Sequence, residues 1–313
     1  MLDVKRLNIF REVVSQGSFS AAADALDYSQ SAVSQAIQTL EGEAGVTLIE
    51  RSRGGVRPTA AGAALAGHIG GILAQLEAAE DEIAAIAAGR GGHLRTASFP
   101  TAGATLMPQA IAAFRGSHPG VEVSLAEGEP DEIAPRLRAG EFDLALLFEF
   151  EGVGERLGAG MRRFELFDDP LHLALPAAHP LARRKAPPRL EDLSEESWVQ
   201  TSATSPCARQ VVRSCIAAGF EPRVSFESDD YPTVQGLVAA GVGVALIPQL
   251  ALSGVREDIV VRPPAPQSPV RKVFAATPRA AAATAAVATM LDVLRREARI
   301  RSRPPGGGRE ATP

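Results

Sequence analysis

The stretch "SFSAAADALDYSQSAVSQAIQTLE", Ser18–Glu41, limits what this chain can fold into more than any other segment. Before it, Leu7, Phe10, Val13 and Val14 recur at helical spacing, which predicts a helix over about Val4–Ser15 that Gly17 ends. Ser18 or Ser20 can cap a short second helix through Leu26. Asp27-Tyr28 breaks the pattern, and Ser29 is a good N-cap for a third helix whose inner face is Val33, Ala36, Ile37 and Leu40. Two short helices joined by about three residues describe a helix-turn-helix. The small Ala23 lets the two helices approach closely, and Leu26, Tyr28, Val33 and Ala36 fall where the motif needs packing residues. Asp27 takes the turn position that glycine usually fills. Aspartate tolerates the left-handed conformation better than most residues.

With the apolar face turned inward, Gln30, Ser31, Ser34, Gln35 and Gln38 point out behind the capping Ser29, and Ser29 to Gln38 carries no charge. An exposed helix face is ordinarily rich in Lys and Glu. Glutamine can hold an adenine edge through two hydrogen bonds, and serine can serve base or phosphate, so this face suits base reading in double-stranded DNA. The following "GVTLIERSRGGVRPTAAG" offers a strand, a Gly54-Gly55 tip and a second strand, with Arg51, Arg53 and Arg57 around it. These arginines matter because residues 1–59 hold six Lys/Arg against seven Asp/Glu, and the whole chain has a net charge of −5. DNA binding must therefore rest on local placement, with arginines on phosphates fixing the register of the reading helix.

The run from Phe10 through "GSFSAAADAL", "SQSAVSQAIQTLE" and "GVTLIERSRGGVRPTAAG" resembles the winged helix-turn-helix of LysR-type transcriptional regulators over about the first 60 residues. It departs from the family pattern at Ser31 (commonly proline), Gln35 (commonly arginine), Ile49 (usually phenylalanine) and Pro58 (usually leucine). The first two lie on the reading face and bear on which operator is read.

Beyond the hairpin, Leu65, Ile69, Ile72, Leu76, Ile83 and Ile86 line one stripe of a long helix over 60–88, with acidic residues on its other side. Such a stripe needs a partner, although Gly67, Gly70 and Gly71 weaken the helix on its own. The resemblance implies a dimerising linker helix, and hence a homodimer or homotetramer. "GRGGH", 89–93, reads as a hinge. Residues 94–300 repeat a strand–acidic loop–helix–strand order in "HPGVEVSLAEGEPDEIAPRLRAGEFDLALLF" and "FEPRVSFESDDYPTVQGLVAAGVGVALIP". Two βαβ-type units imply two α/β lobes with mainly parallel sheets: lobe 1 over about 94–163 and 270–300, lobe 2 over about 164–269. "VRKVFAAT", 270–277, returns to the first lobe, a helix over about Arg279–Arg299 closes it, and 301–313 reads as a disordered tail. The fold class is α/β overall: a winged helix-turn-helix with a long linker helix, then what the resemblance implies is a periplasmic-binding-protein-like effector domain.

Ligands of open α/β lobes sit beyond the carboxyl ends of strands, near helix N-termini. The candidate effector residues are Ser98, Pro100 and Thr101 after the first strand, Phe148 at the end of "FDLALLF", Ser202 and Thr204 after "SWVQ", and Glu129 and Asp229 in the two acidic loops. Hydroxyls and free N–H groups at helix starts suit a carboxylate. The acidic loops point instead to an amine or a polar neutral molecule.

No catalytic constellation supports an enzyme. The five histidines lack metal-ligand spacing, "GVGVAL" lacks the phosphate loop's lysine and the dinucleotide fingerprint's third glycine, and no G-x-S-x-G elbow occurs. No metal or cofactor is expected. Two cysteines cannot form a disulfide framework, and no apolar run reaches about 18 residues, so the chain reads as a cytoplasmic protein without a membrane partner. Cys207 and Cys215 stand close to where peroxide-sensing members of the resembled family keep their redox cysteines, with a spacing shorter by one. Cys207 at a helix start would have its pKa lowered, and Arg209 is the only basic residue close to it in sequence. Eight residues of helix nevertheless separate the two thiols by about 12 Å, so a thiol switch is the alternative to a small-molecule effector and not the main reading.

Overall fold

The computed structural model describes residues 2–52, 55–87, 92–152, 160–279 and 284–301. The chain divides into two compact units, Met1–His93 with Pro135–Phe142, and Leu94–Ala134 with Asp143–Pro313. The first begins with α1 (Val4–Gln16), α2 (Phe19–Ala25) and α3 (Gln30–Ala44), followed by β1 (Ile49–Ser52), β2 (Gly55–Pro58) and α4 (Ala60–Ala87).

Local chemistry sets these boundaries. Asp3, Ser18 and Ser29 each accept a hydrogen bond from a backbone N–H three residues on, capping α1, α2 and α3 in turn. Gly17 and Gly45 end α1 and α3 in the left-handed conformation. Asp27 adopts φ 55°, so the helix-turn-helix corner has the left-handed geometry its position demands. The core gathers Leu7, Phe10 and Val13 of α1, Ala22 and Ala23 of α2, and Val33, Ile37 and Leu40 of α3. Tyr28, expected among the packing residues, is instead 39% exposed and lies under the Lys5 ammonium, 5.2 Å from its ring centroid.

β1 and β2 pair antiparallel, from Ile49 opposite Pro58 to Ser52 opposite Gly55. The 28 residues of α4 span about 42 Å. Its apolar stripe divides. Ile69 and Leu73 are buried in the core of the winged unit, with Leu65 packed against them, whereas Ile72 and Leu76 are exposed and Ile83 is 67% exposed. Part of the stripe therefore packs on its own unit, because the helix starts immediately after β2 and its first turns lie over that core. The side chain of Ile86 lies outside the described residues.

The second unit holds β3 (His93–Ser98), α5 (Pro100–Thr105), α6 (Met107–Ser117), β4 (Glu122–Glu127), α7 (Pro130–Arg138), β5 (Leu144–Phe150), β6 (Met161–Pro176), β7 (Ser197–Gln200), α8 (Pro206–Ala217), β8 (Arg223–Glu227), α9 (Tyr231–Ala239), β9 (Ala245–Pro248), β10 (Ile259–Arg262), β11 (Val270–Pro278) and α10 (Ala285–Arg301). β3 belongs to this unit except for His93, its first residue, and the end of α7 falls in the first unit. β3 runs parallel to β5, and β7 parallel to β8. The expectation of mainly parallel sheets needs correction. β11 is antiparallel to both β5 and β6, and β6 is antiparallel to β9 and β10.

The cause is the 16-residue β6. Met161–Pro170 pairs with β11, and Leu171–Pro176 pairs with β9 and β10, so one strand serves both lobes. β11 returns beside β5, as "VRKVFAAT" suggested. α10 begins at Ala285, later than the expected Arg279, with Thr284 Oγ1 accepting from the Val287 N–H at 3.3 Å. It runs through Arg301, the first residue of the expected tail, and 302–313 lie outside the described residues, as do residue 88 of the expected linker helix and 89–91 of the expected hinge.

One close approach explains the end of "RPTAAG". Thr59 Oγ1 accepts from the Gly62 N–H at 3.0 Å and donates to the Thr47 carbonyl at 2.8 Å. This brings α4 so near β1 that a Cβ on Gly62 would collide with the Leu48 carbonyl oxygen. Gly62→Ala should therefore destabilise the winged unit by about 1–3 kcal/mol, as overpacked sites do. Chemical denaturation of the wild type and the variant measures it.

Candidate functional site

In the winged unit, α3 presents Gln30, Ser31, Gln35 and Gln38 as exposed side chains, with Ser34 half-buried beside them. Ser29 Oγ caps the helix through the Ala32 N–H at 3.2 Å and lies 3.0 Å from Ser31 Oγ. Glu41, at the far end of this helix, is turned to structural use: its Oε1 accepts from the N–H groups of Leu48 and Ile49 at 2.8 and 3.1 Å. That carboxylate ties α3 to the hairpin. Arg57 is exposed on β2 opposite Glu50. Arg53 and the side chain of Arg51 lie outside the described residues.

In the second unit the polar centre is a residue that the sequence reading did not single out. Arg271, on β11, is 1% exposed. Its Nε donates to Asp169 Oδ2 of β6 at 2.6 Å, and its Nη2 to Thr101 Oγ1 of α5 at 2.5 Å. Its guanidinium lies 4.9 Å from the Phe99 ring centroid and 4.8 Å from that of Phe148, and those two rings meet edge to face. The other oxygen of Asp169 accepts from the Leu250 N–H at 3.0 Å. Burial, the largest single influence, lowers the pKa of Arg271, but the charge and hydrogen bond of Asp169 together with Cys207 and Tyr231 more than offset it and raise the pKa, so the guanidinium stays ionised.

The structure thus brings Thr101, Phe148 and Glu129 together around Arg271, whose charge acts on Glu129. Glu129, just before α7, has its Oε2 buried without a hydrogen-bond partner. Desolvation raises its pKa from an ordinary 4.5 to about 7; Arg271 opposes the rise, while Asp229, Glu132 and Asp131 add to it. Ser98 is fully buried and donates to the neighbouring Phe99 carbonyl at 3.1 Å, and Pro100 is half-buried at the start of α5.

The N–H groups of the loop leading into α8 are taken. The Ser202 N–H donates to Asp229 Oδ1 at 2.8 Å, and the Ala203 N–H to Glu227 Oε2 at 3.3 Å. Ser202 Oγ lies 3.2 Å from Thr204 Oγ1, and Thr204 is exposed. Ser205 caps α8, and Thr201 hydrogen-bonds to it. The protein's own carboxylates thus fill the anion cradle that the sequence suggested.

The cysteine reading is corrected in two respects. Both thiols are buried, and burial pushes Cys207 up and Cys215 up to about 12, so desolvation overrides the helix terminus. A guanidinium far from Cys207 in sequence also faces it: Arg271 Nη1 approaches Sγ at 3.9 Å. Burial likewise raises the pKa of Tyr231, whose charge state is coupled to that of Cys207. The signal for Arg271 was present in "PVRKVFAAT": alternation puts Arg271 on the same strand face as the buried Val273 and Ala275.

Among the described residues, no group of three or more His, Cys, Asp or Glu could hold a metal ion, and no helix is long and apolar enough to cross a membrane.

Residues 4–63 match the family model for the bacterial regulatory helix-turn-helix protein, lysR family, and residues 87–299 match the LysR substrate binding domain. The chain is 34% identical over 305 residues to "Probable HTH-type transcriptional regulator LrrA" of Synechococcus elongatus, covering 95% of this chain and 98% of that protein. It is 30% identical to the transcriptional dual regulator GltC of Bacillus subtilis, over 84% of this chain and 86% of the relative. It is 29% identical to the DNA-binding transcriptional dual regulator OxyR of Escherichia coli K12, over 82% of each. Among solved structures, a full-length OxyR variant from Pseudomonas aeruginosa aligns with TM-score 0.64 at 25% identity, over 94% of this chain and 95% of that one. The LysR family regulator CbnR in complex with its target DNA shares the fold, with TM-score 0.65 at 24% identity, over 95% of this chain and 100% of that one.

Glu129 gives stability a pH dependence. Below 4.5 it is protonated in both the folded and the unfolded chain. Between 4.5 and about 7 the unfolded chain releases the proton while the folded chain keeps it, so this contribution to stability is lost as pH rises through that window. Glu129→Gln should remove the decline and exceed wild type at pH 8 by up to about 3 kcal/mol, at roughly 1.4 kcal/mol per pKa unit. Denaturation midpoints from pH 4 to pH 8 check both the slope and its disappearance.

Proposed function

The chain belongs to the LysR family of bacterial transcriptional regulators, and we propose that it reads an operator in double-stranded DNA through α3 while a small molecule bound around Arg271 controls it. The observation that carries the DNA reading is the exposed, uncharged face of Gln30, Ser31, Gln35 and Gln38 on a helix capped by Ser29. Side chains of this kind find bidentate partners on base edges, and Ser34 and Ser29 lie within the same strip. Arg51, Arg53 and Arg57 belong to the hairpin beside it and take the phosphate role. The DNA-bound CbnR structure supports this assignment by its fold.

Division of labour follows the two parts of the chain. Residues 1–59 form the winged domain, 60–88 the linker helix, 89–93 the hinge and 94–300 the effector domain. Exposed Ile72, Leu76 and Ile83 on α4 offer a seam to a second copy, giving a dimer or a tetramer that works in the cytoplasm on its operator.

The effector is held by Thr101, Phe148, Glu129, Asp229 and Ser202, with Ser98, Pro100 and Thr204 shaping the loops beside them. Its character follows from what the protein leaves unsatisfied. The N–H groups after β7 are occupied, and Arg271 is neutralised by Asp169, so a carboxylate finds little unspent positive charge. Glu129 offers a buried oxygen that needs a donor. An amine or a neutral molecule bearing N–H or O–H answers that need. Relatives named as hydrogen peroxide-inducible genes activators are 28–29% identical to this chain. The two buried thiols with raised pKa values favour the ligand reading over the thiol reading here.

The decisive experiment selects, from a genomic library, the DNA that the full-length protein retains and measures affinity for the recovered site. Gln35→Ala should relax preference at one base-pair position by about 1–3 kcal/mol, while Arg57→Ala should weaken all sequences alike and lower the salt slope by about one. Equal discrimination by the wild type and Gln35→Ala would contradict the reading-face assignment. Peroxide should leave binding unchanged in both the wild type and Cys207→Ser. A peroxide response lost in that variant would replace the ligand with a thiol switch.

A further inference from the structure

Away from Arg271, the second unit carries a cavity of about 440 Å³ against the face of α8 turned away from Cys207, Val211 and Cys215. That volume lies in the range of small-molecule pockets. None of the residues lining it is among those that meet Arg271.

The wall is apolar, formed by Ala208, Val212 and Ile216, and Ile216 is 60% exposed. Gln200, at the end of β7, lines the same cavity; it is 6% exposed, and its Oε1 is buried without a hydrogen-bond partner. An unmet buried acceptor is costly and calls for a donor. Two arginines also line the cavity. Arg213 donates Nη1 to the Glu151 carbonyl at 2.6 Å, one use of a group with five donors. Arg209 donates Nη2 to Asp131 Oδ2 at 2.6 Å.

We propose that this cavity is a second small-molecule site, distinct from the one around Arg271, for an amphipathic carboxylic acid. The apolar body lies on Val212 and Ile216, the carboxylate meets Arg213, and a hydroxyl or N–H donates to Gln200 Oε1. Water could satisfy Gln200 alone, but it gains nothing from the apolar wall, and an acid serves wall, amide and guanidinium together. The site also has a route to the rest of the unit. Arg209 holds Asp131, and Asp131 is one of the charges acting on Glu129, so an acid that draws Arg209 toward itself changes the field at Glu129.

The test uses full-length protein and isothermal titration calorimetry with indole-3-acetate, its N-methyl analogue lacking the donor, and indole lacking the carboxylate. Indole-3-acetate should bind saturably, and both analogues should bind at least tenfold more weakly. Arg213→Ala, at an exposed position, and Gln200→Leu, which keeps the volume, should each cost at least tenfold, while Thr101→Val stays within twofold of wild type. Three results would overturn the proposal: no saturable binding of the acid up to millimolar concentration, unchanged affinity in both cavity variants, or loss of binding in Thr101→Val. The last would place the acid at Arg271. A fourth result against it is Ile216→Glu shifting sedimentation to a smaller species with uptake of the acid unchanged, which would make this face a contact between copies.

Discussion

The effector unit is organised around one buried cation. Arg271 sits on the strand that returns from the second lobe to the first, and it reaches Asp169 on the long shared strand, Thr101 on the first helix of lobe 1 and Cys207 on α8. A buried ion pair need not add net stability, but removing one partner leaves an uncompensated charge at a cost of about 3–5 kcal/mol. The elements that supply Arg271's partners are therefore held to one arrangement. The same charge also acts on Glu129, whose Oε2 is buried without a hydrogen-bond partner, so the scaffold and the proposed ligand site share one electrostatic source.

The winged unit solves a different problem, presenting a DNA-reading face on a chain whose net charge is negative. It keeps the outward strip of α3 uncharged and commits Glu41 to the backbone of the hairpin. Three of the six Lys/Arg of residues 1–59, Arg51, Arg53 and Arg57, fall in the hairpin sequence. On the proposed reading, base edges meet neutral hydrogen-bonding groups while phosphates meet guanidinium, which would separate specificity from affinity.

What was legible in the sequence tracks how local the physics is. Caps at Ser18 and Ser29 and the left-handed turn at Asp27 depend on a few consecutive residues, and the structure has them where the pattern put them. Thr101 and Glu129 were identifiable as loop residues after strands. Their meeting point was not, because Arg271 and Asp169 are 102 positions apart. Period-two alternation marks Arg271 as inward, but only pairing of β11 with β6 supplies its counter-charge. The antiparallel centre of the sheet was missed for a related reason: nothing local in the sequence of β6 tells that one strand pairs in both lobes. The expected fall in the Cys207 pKa failed because a helix-end effect is local and burial is not.

Hydrogen exchange of the full-length protein with and without its recovered operator tests most directly the claim that α3 and the adjoining hairpin carry DNA recognition. The account predicts added protection concentrated in residues 29–38 and 49–58, with the amides around Arg271 and Asp169 unchanged by DNA alone. Protection concentrated in the second unit, with α3 exchanging as in the free protein, would contradict it.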